Sequence, residues 1–144
     1  MSETGASFHA QRVFPHSPQR LYQAFAEARQ LAAWWGPAGF RNEFERFDFR
    51  PGGDWVFVMV GPDGSRYPNR SRFQVLVPGE RLSIRHDCDP FFTLELRLRA
   101  VPEGCALSWT QTFDDPAVAA AVRAVVEPAN QQNLDRLGAL LAGG

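Results

Sequence analysis

Cysteine is scarce in this 144-residue chain, which carries only Cys88 and Cys105. Their spacing matches no zinc-binding or redox pattern, so both are read as reduced thiols. A chain of this length buries roughly two-thirds of its unfolded surface and needs no disulfide or metal staple. Long apolar runs are missing too. None approaches the roughly 20 residues that span a bilayer, which argues against membrane insertion through a helix. Charge of one sign is also lacking: 15 basic and 16 acidic residues leave a net charge of −1. Proteins that track phosphates carry a basic patch or stripe, so nucleic acid is not an expected partner. The start, Met1 to Ser7, is short and polar with no basic head before an apolar run. No secretory signal is read there, and cytoplasm is the expected compartment. Without such a signal the sequon Asn69-Arg70-Ser71 carries little meaning. Enzyme signatures are absent as well. There is no phosphate-cradling glycine loop after a strand, no nucleophile elbow and no zinc-ligand spacing. No catalytic residue, metal or cofactor is therefore expected from motifs.

Large rings, by contrast, are plentiful. Twelve Phe and four Trp exceed what a minimal core of this size requires, a first hint of a lined cavity. Turn chemistry recurs about every ten residues: Gly52-Gly53, Gly61-Pro62-Asp63-Gly64, Pro78-Gly79, Asp87-Cys88-Asp89-Pro90 and Pro102-Glu103-Gly104. Such spacing, with apolar alternation between, predicts an antiparallel meander. Trp55, Phe57 and Met59 share one face. Tyr67, Phe73 and Val75 share the next if no bulge intervenes. Leu82, Ile84, His86 and Cys88 follow, then Phe92, Leu94, Leu96 and Leu98, and finally Leu107, Trp109, Gln111 and Phe113. Side chains two apart point the same way, so these sets form one apolar face. The opposite face, with Thr93, Glu95, Arg97, Ser108, Thr110 and Thr112, suits water. Residues 41–50 are also strand-like, but both faces mix Phe with charge, and the buried one is not legible.

Helices bracket the meander. Ser17-Pro18 reads as an N-cap followed by proline at the first helical position, with Leu21, Ala24, Phe25 and Ala28 at helical spacing. Leu31, Trp34 and Trp35 form a second short piece stopped by Gly36-Pro37. Asp115-Pro116 opens a closing helix of roughly seven turns or fewer. Its expected stripe is Val118, Ala121, Val122 and Val125, continued by Leu134, Leu137 and Leu141. Pro128 predicts a kink or break near Ala124 to Glu127, because an interior proline costs about 3 kcal/mol. With a first strand around Phe8 to Phe14, the order is β-α-α-β×6-α in one α+β domain, residues 1–144 with a core at about 8–142. One apolar sheet face must be covered. A helix only about 10 Å across cannot cover seven strands, so the sheet must curl, leaving space for large side chains or a pocket.

Several strings carry a resemblance: Trp34-Trp35-Gly36-Pro37, then Phe47-Asp48-Phe49-Arg50-Pro51-Gly52-Gly53, Trp55-Val56-Phe57, Gly61-Pro62-Asp63-Gly64, Pro78-Gly79-Glu80-Arg81-Leu82 and Asn133-Leu134-Asp135-Arg136-Leu137. In this order and spacing they resemble the Bet v 1-like (START-like, SRPBCC) superfamily. Within it they are similar to the family named for the activator of heat-shock-protein-90 ATPase, C-terminal domain, over about residues 8–142. The resemblance implies a helix-grip fold with a curved seven-stranded antiparallel sheet around a long C-terminal helix and a deep pocket between them. Members of the superfamily bind lipids, polyketides or other hydrophobic molecules, and some are cyclases, hydrolases or co-chaperones, so fold alone does not give function. Relatives often carry a glycine in the closing helix where this chain has Glu127-Pro128-Ala129-Asn130, which bears on the shape of the pocket lid.

The expected ligand is a hydrophobic small molecule. Trp35, Trp55, Phe57, Phe73, Phe92, Trp109 and Phe113 are the candidate lining rings. Met59, Ile84, Leu94, Val122 and Val125 add aliphatic wall, and His86, Tyr67 and Gln111 add polar contacts. His86 is a candidate general base, ligand donor or metal ligand with Cys88; a satisfied buried histidine is the structural alternative, and two ligands do not make a metal site. Gln111 can orient a carbonyl or hydroxyl. Asn130 and Asn133 are read as caps for carbonyls freed at the kink. Asp48 and Arg50 are read as an ion pair fixing the turn, and Gly52 and Gly53 as a bulge or positive φ. Trp34 and Trp35 are expected to divide between the core and the pocket mouth, with Trp35 inside. Glu43 and Glu45 are candidate paired carboxylates, a charged strand edge being the simpler account. Three functions follow: ligand sequestration, a cyclase or hydrolase using His86, and a co-chaperone role. A chaperone partner is not expected, because the separate N-terminal domain of the eukaryotic activator has no counterpart here. An edge strand leaves a homodimer open.

Overall fold

The computed structural model describes residues 6–143, so the polar start read at Met1 to Ser7 lies largely outside the described residues. The elements follow in the predicted order, although Ala28 opens the second helix rather than ending the first, and Trp35 caps that helix from outside it. The elements are β1 (Ser7–Phe14), α1 (Pro18–Ala26), α2 (Ala28–Trp34), β2 (Arg41–Phe47), β3 (Asp54–Val60), β4 (Arg66–Val77), β5 (Arg81–His86), β6 (Phe92–Val101), β7 (Gly104–Phe113) and α3 (Pro116–Gly143). The strands form one antiparallel seven-stranded sheet in the order β1-β7-β6-β5-β4-β3-β2. The curved sheet grips the closing helix, which is the helix-grip fold. β1 and β2 are its two edges.

Local chemistry sets the boundaries. The Ser17 side chain accepts the Arg20 N–H at 3.1 Å, and Pro18 opens α1 without needing a donor. The turn before β3 is held by Arg50 Nε donating to Asp48 Oδ2 at 2.8 Å. A Cβ at Gly53 would fall 2.0 Å from the Asp48 carbonyl oxygen, so only glycine fits there.

Bulges decide which side chains turn inward. A register shift between Phe44 and Arg46 lets Phe44 and Phe47 both pack on the core, which resolves the ambiguous face of this segment. Another lies between Phe73 and Val75, so Val75 does not continue the Tyr67–Phe73 face and Leu76 packs on the core instead.

The closing helix departs from expectation twice. It runs unbroken from Pro116 to Gly143 with Pro128 inside it. The carbonyl deprived of a donor is that of Ala124, which is exposed, so water can serve it where a buried carbonyl would force a break. The expected stripe is also out of phase. Val125 is 70% exposed and Ala121 is exposed, whereas Ala119 is buried with Val118, Val122 and Val126 beside it. Past the proline the inward face is Asn130, Asn133, Leu134, Leu137 and Leu141.

α3 packs on β1, β7, α1 and α2, but among the described residues none of its Cα atoms comes within 8 Å of one in β3, β4, β5 or β6. Side chains must fill that gap or leave it empty. At one end they fill it. Trp34, Trp55 and Phe73 join Leu82, Leu96, Leu107, Leu134 and Leu137 in a solid core.

Candidate functional site

Where the filling fails, a cavity of about 270 Å³ remains. Five consecutive strands contribute two residues each: Phe57 and Met59 from β3, Asn69 and Ser71 from β4, Ile84 and His86 from β5, Phe92 and Leu94 from β6, Trp109 and Gln111 from β7. Strand register places them side by side. Phe57 pairs with Asn69, Ser71 with His86, and His86 with Phe92, while Ile84, Leu94 and Gln111 form a second row. Asn130 and Asn133 of α3 close one side, and Trp35, Gly36, Pro37 and Pro90 close the rim.

The rim wall after α2 is pinned from α3. Arg136 Nη1 donates to the carbonyls of Trp35, Gly36 and Pro37 at 2.9–3.1 Å, and its Nη2 donates to that of Ala33 at 3.1 Å. Asn133 Oδ1 accepts the Gly36 N–H at 2.9 Å. Gly36 has φ +100°, and a Cβ there would meet Met59 Cε at 2.7 Å. The wall so fixed presents Trp35, whose ring stacks on Trp109 at 5.8 Å and meets Trp55 edge-on at 5.1 Å.

Polar groups on this wall are unusually deep. His86, Gln111, Asn130 and Asn133 are each 8% exposed, and Ser71 is 3% exposed. Asn130 Nδ2 donates to Gln111 Oε1 at 3.1 Å. Gln111 Nε2, Asn130 Oδ1, Asn133 Nδ2 and Ser71 Oγ have no protein partner among the described residues, yet none is sealed away from solvent-sized space. The indole N–H groups of Trp55 and Trp109 are buried without an acceptor; since Trp55 lies in the solid core, such an orphan does not by itself mark a ligand contact.

Among the described residues, His86 is the only ionisable side chain lining the cavity. Its ring stacks on Phe92 at 4.3 Å. Nδ1 donates to the Pro90 carbonyl at 2.8 Å, and Nε2 lies 2.8 Å from Asn69 Oδ1 and 3.5 Å from Cys88 Sγ. Burial pushes the imidazole pKa down, against the smaller opposing pull of the Pro90 carbonyl. With both nitrogens engaged, acid–base work requires Asn69 to move aside. No group of three or more metal-ligating side chains exists among the described residues. Glu43 is paired with Arg66 and Arg41 at the strand edge, away from the cavity, and their hydrogen bonds hold its pKa down at about 2.

The candidate residues from the sequence separate into groups. Trp35, Phe57, Met59, Ile84, His86, Phe92, Leu94, Trp109 and Gln111 meet on the cavity. Trp55 and Phe73 do not; they are fully buried and stacked on each other at 5.8 Å, because α1, α2 and the aromatic side chains of β2 cover that end. Phe113 and Val122 belong to a satellite cluster with Phe8 and Ala119. Tyr67 is 49% exposed beside Phe40, at the start of β4 where no element covers the face. Val125 faces water because of the helix phase. Trp34 is core, with its indole N–H on the Ala24 carbonyl at 3.0 Å. Asn130 and Asn133 turn to the cavity rather than capping a kink. Asn69 and Ser71, read from the sequence only as parts of a sequon, share alternation with Phe73 and also line the cavity. Gly36, Pro37 and Pro90, whose sequence signal is that of turns, lie on the rim.

A wider, more open depression of about 570 Å³ lies near the C-terminal end of α3, lined by Arg20, Glu27, Arg29 and Gln30 among others. It is shallow and charged, unlike the inner cavity. No helix among the described residues is long and apolar enough to cross a membrane.

The profile of the family described as Activator of Hsp90 ATPase homolog 1-like protein matches residues 15–142. No curated protein matches the chain. Among solved structures, a Chromobacterium violaceum protein is similar at 28% identity, with a TM-score of 0.85 over 93% of this chain and 96% of its own. A Nitrosomonas europaea protein shares the fold at 19% identity, TM-score 0.89, over 96% of both chains. The AHSA1 protein of Silicibacter pomeroyi does so at 22% identity, TM-score 0.78, over 95% of this chain and 98% of its own. With a match spanning nearly all of its length, this chain belongs to the Activator of Hsp90 ATPase homolog 1-like family, of the Bet v 1-like fold.

Proposed function

We propose that the protein binds a hydrophobic small molecule in the cavity between the sheet and α3. The observation that carries this reading is an inner space of about 270 Å³ walled by aromatic and aliphatic side chains with a few convergent polar groups. That is the chemistry of a small-molecule site, at the small end of the usual range of roughly 300–1,000 Å³. The expected setting is the cytoplasm, where the two free thiols would stay reduced.

Filling the space tests it. Ile84→Trp and Leu94→Trp place a larger ring in the void. Both variants are expected to keep the wild-type circular dichroism and to lose the thermal-shift response to apolar ligands that wild type shows. Binding that survives both substitutions, read by native mass spectrometry, would count against this site.

The cyclase or hydrolase reading rests on His86 being the one ionisable group at the cavity among the described residues. It predicts that His86→Asn keeps ligand binding and removes turnover of an ester or polyketide substrate. Absence of any turnover by wild type removes that reading.

A further inference from the structure

The ligand's head group can be read from what the cavity wall offers and what it omits; this step rests on the binding reading above. Among the described residues, no Asp, Glu, Lys or Arg lines the cavity. Arg136, which holds the rim wall, is committed to four backbone carbonyls. The His86 ring donates from Nδ1 to the Pro90 carbonyl, and burial favours its neutral form, in which Nε2 accepts from the Asn69 amide once that amide turns its NH₂ toward the ring. An ionised ligand would find no partner charge, and a buried charge without one is strongly disfavoured.

Neutral hydrogen bonding, in contrast, is left open. Asn133 Oδ1 is occupied by the Gly36 N–H, which fixes the amide and turns the Nδ2 hydrogens free. Gln111 and Asn130 share one hydrogen bond. Whichever way that amide pair is turned, one NH₂ and one oxygen remain unused. The Ser71 hydroxyl adds a rotor that donates or accepts. These groups sit on side chains more than nine-tenths buried. Beside them are flat rings: Trp35 stacked on Trp109, and Phe92 stacked on His86.

We propose that the cavity selects an uncharged one- or two-ring compound bearing a carbonyl or amide head, held by Asn133, Gln111, Asn130 and Ser71, and that it rejects the matching carboxylate. The amide cluster thus acts as a specificity filter for neutral polar heads, and the rings hold the flat body.

Three probes of one shape test this. 2-Acetylnaphthalene carries the neutral carbonyl, 2-naphthoate the charge, and 2-ethylnaphthalene neither. Equilibrium dialysis against the whole protein at pH 7.5 is expected to give the ketone at least about tenfold tighter binding than the carboxylate, and about three- to tenfold tighter than the hydrocarbon. In Gln111→Met/Asn130→Leu, which replaces both members of the buried pair, the ketone and hydrocarbon should bind within about twofold of each other. Carboxylate binding equal to or tighter than ketone binding overturns the proposal while leaving the binding reading intact. So does a hydrocarbon as tight as the ketone, or a folded double variant that keeps the wild-type preference. If that variant does not fold, the wild-type ratios decide alone. Retention of none of the three probes overturns the binding reading itself, and this proposal with it.

Discussion

Along one concave sheet face, two regions meet the same helix with opposite results. At the end covered by α1, α2 and the C-terminal half of α3, Trp34, Trp55, Phe73, Leu82, Leu96, Leu134 and Leu137 are at most 1% exposed. At the other, Phe57, Ile84, Phe92, Leu94 and Trp109 border empty space. The sheet supplies large apolar side chains to both. The difference lies in the covering layer. The filled end receives Leu21, Phe25, Leu31 and Trp34 from α1 and α2, and Leu134, Leu137 and Leu141 from α3. The hollow region receives two asparagines from α3, and beyond them only Ala119 is buried, flanked by half-buried valines. Interiors are close-packed, so a layer short of side-chain volume leaves a void of its own size.

Paired truncations break or sharpen this contrast most strongly. Trp55→Ala is expected to cost about 3–5 kcal/mol in urea unfolding, because its site is sealed on all sides and cannot collapse. Phe92→Ala, beside space that already exists, is expected to cost about 1–2 kcal/mol. Equal losses at the two sites would mean that the cavity collapses in solution.

Arg136→Ala strips the rim wall of its clamp. The expected loss is about 1–3 kcal/mol, with a red shift of tryptophan emission as Trp35 gains water. Arg136→Lys should not rescue it, since a compact ammonium does not match a guanidinium fork spread over four carbonyls. An unchanged emission maximum would show that the wall stands without the clamp.

Pro128→Ala lets residue 128 donate to Ala124 and is expected to stabilise by about 1–2 kcal/mol. That is less than the roughly 3 kcal/mol of a helix interior, because water already serves the exposed carbonyl. A loss of stability would show that the proline stiffens α3 over the hollow region.

The smallest effect concerns pH. Burial lowers the His86 pKa below its ordinary 6.5, so between the two values the unfolded chain binds more protons than the folded one. Stability from the neutral ring is therefore full above pH 6.5 and is lost as pH falls through the depressed folded value. His86→Gln should flatten the pH dependence of the melting temperature below pH 6.5 relative to wild type. Carboxylates with lowered pKa values, such as Asp114 and Glu43, act in a lower window and leave this comparison clean. An unchanged pH slope would place His86 in water rather than in the wall.

Much of this was legible in the sequence. Period-two alternation put Ile84, His86, Phe92, Leu94, Trp109 and Gln111 on one face, and the structure keeps them there. Alternation also passes through Asn69 and Ser71, between Tyr67 and Phe73, but polar residues do not announce an inward face. The inward stripe of α3 runs 119, 122, 126, 130, 133, 134, 137 and 141 at helical spacing. Two asparagines within it disguised its phase and led to Val125.

The residue pattern by itself determined the elements, their order and the inward parity of the strands, because these follow from local backbone geometry and from burying apolar side chains. Only the tertiary structure decided which inward residues meet packing and which meet space. That outcome depends on how much side-chain volume the opposing helix delivers at each point of the sheet, a sum over residues far apart in the chain. Trp55 and Trp109 show it: each is an inward tryptophan on a strand, yet the first is sealed in core and the second faces the cavity.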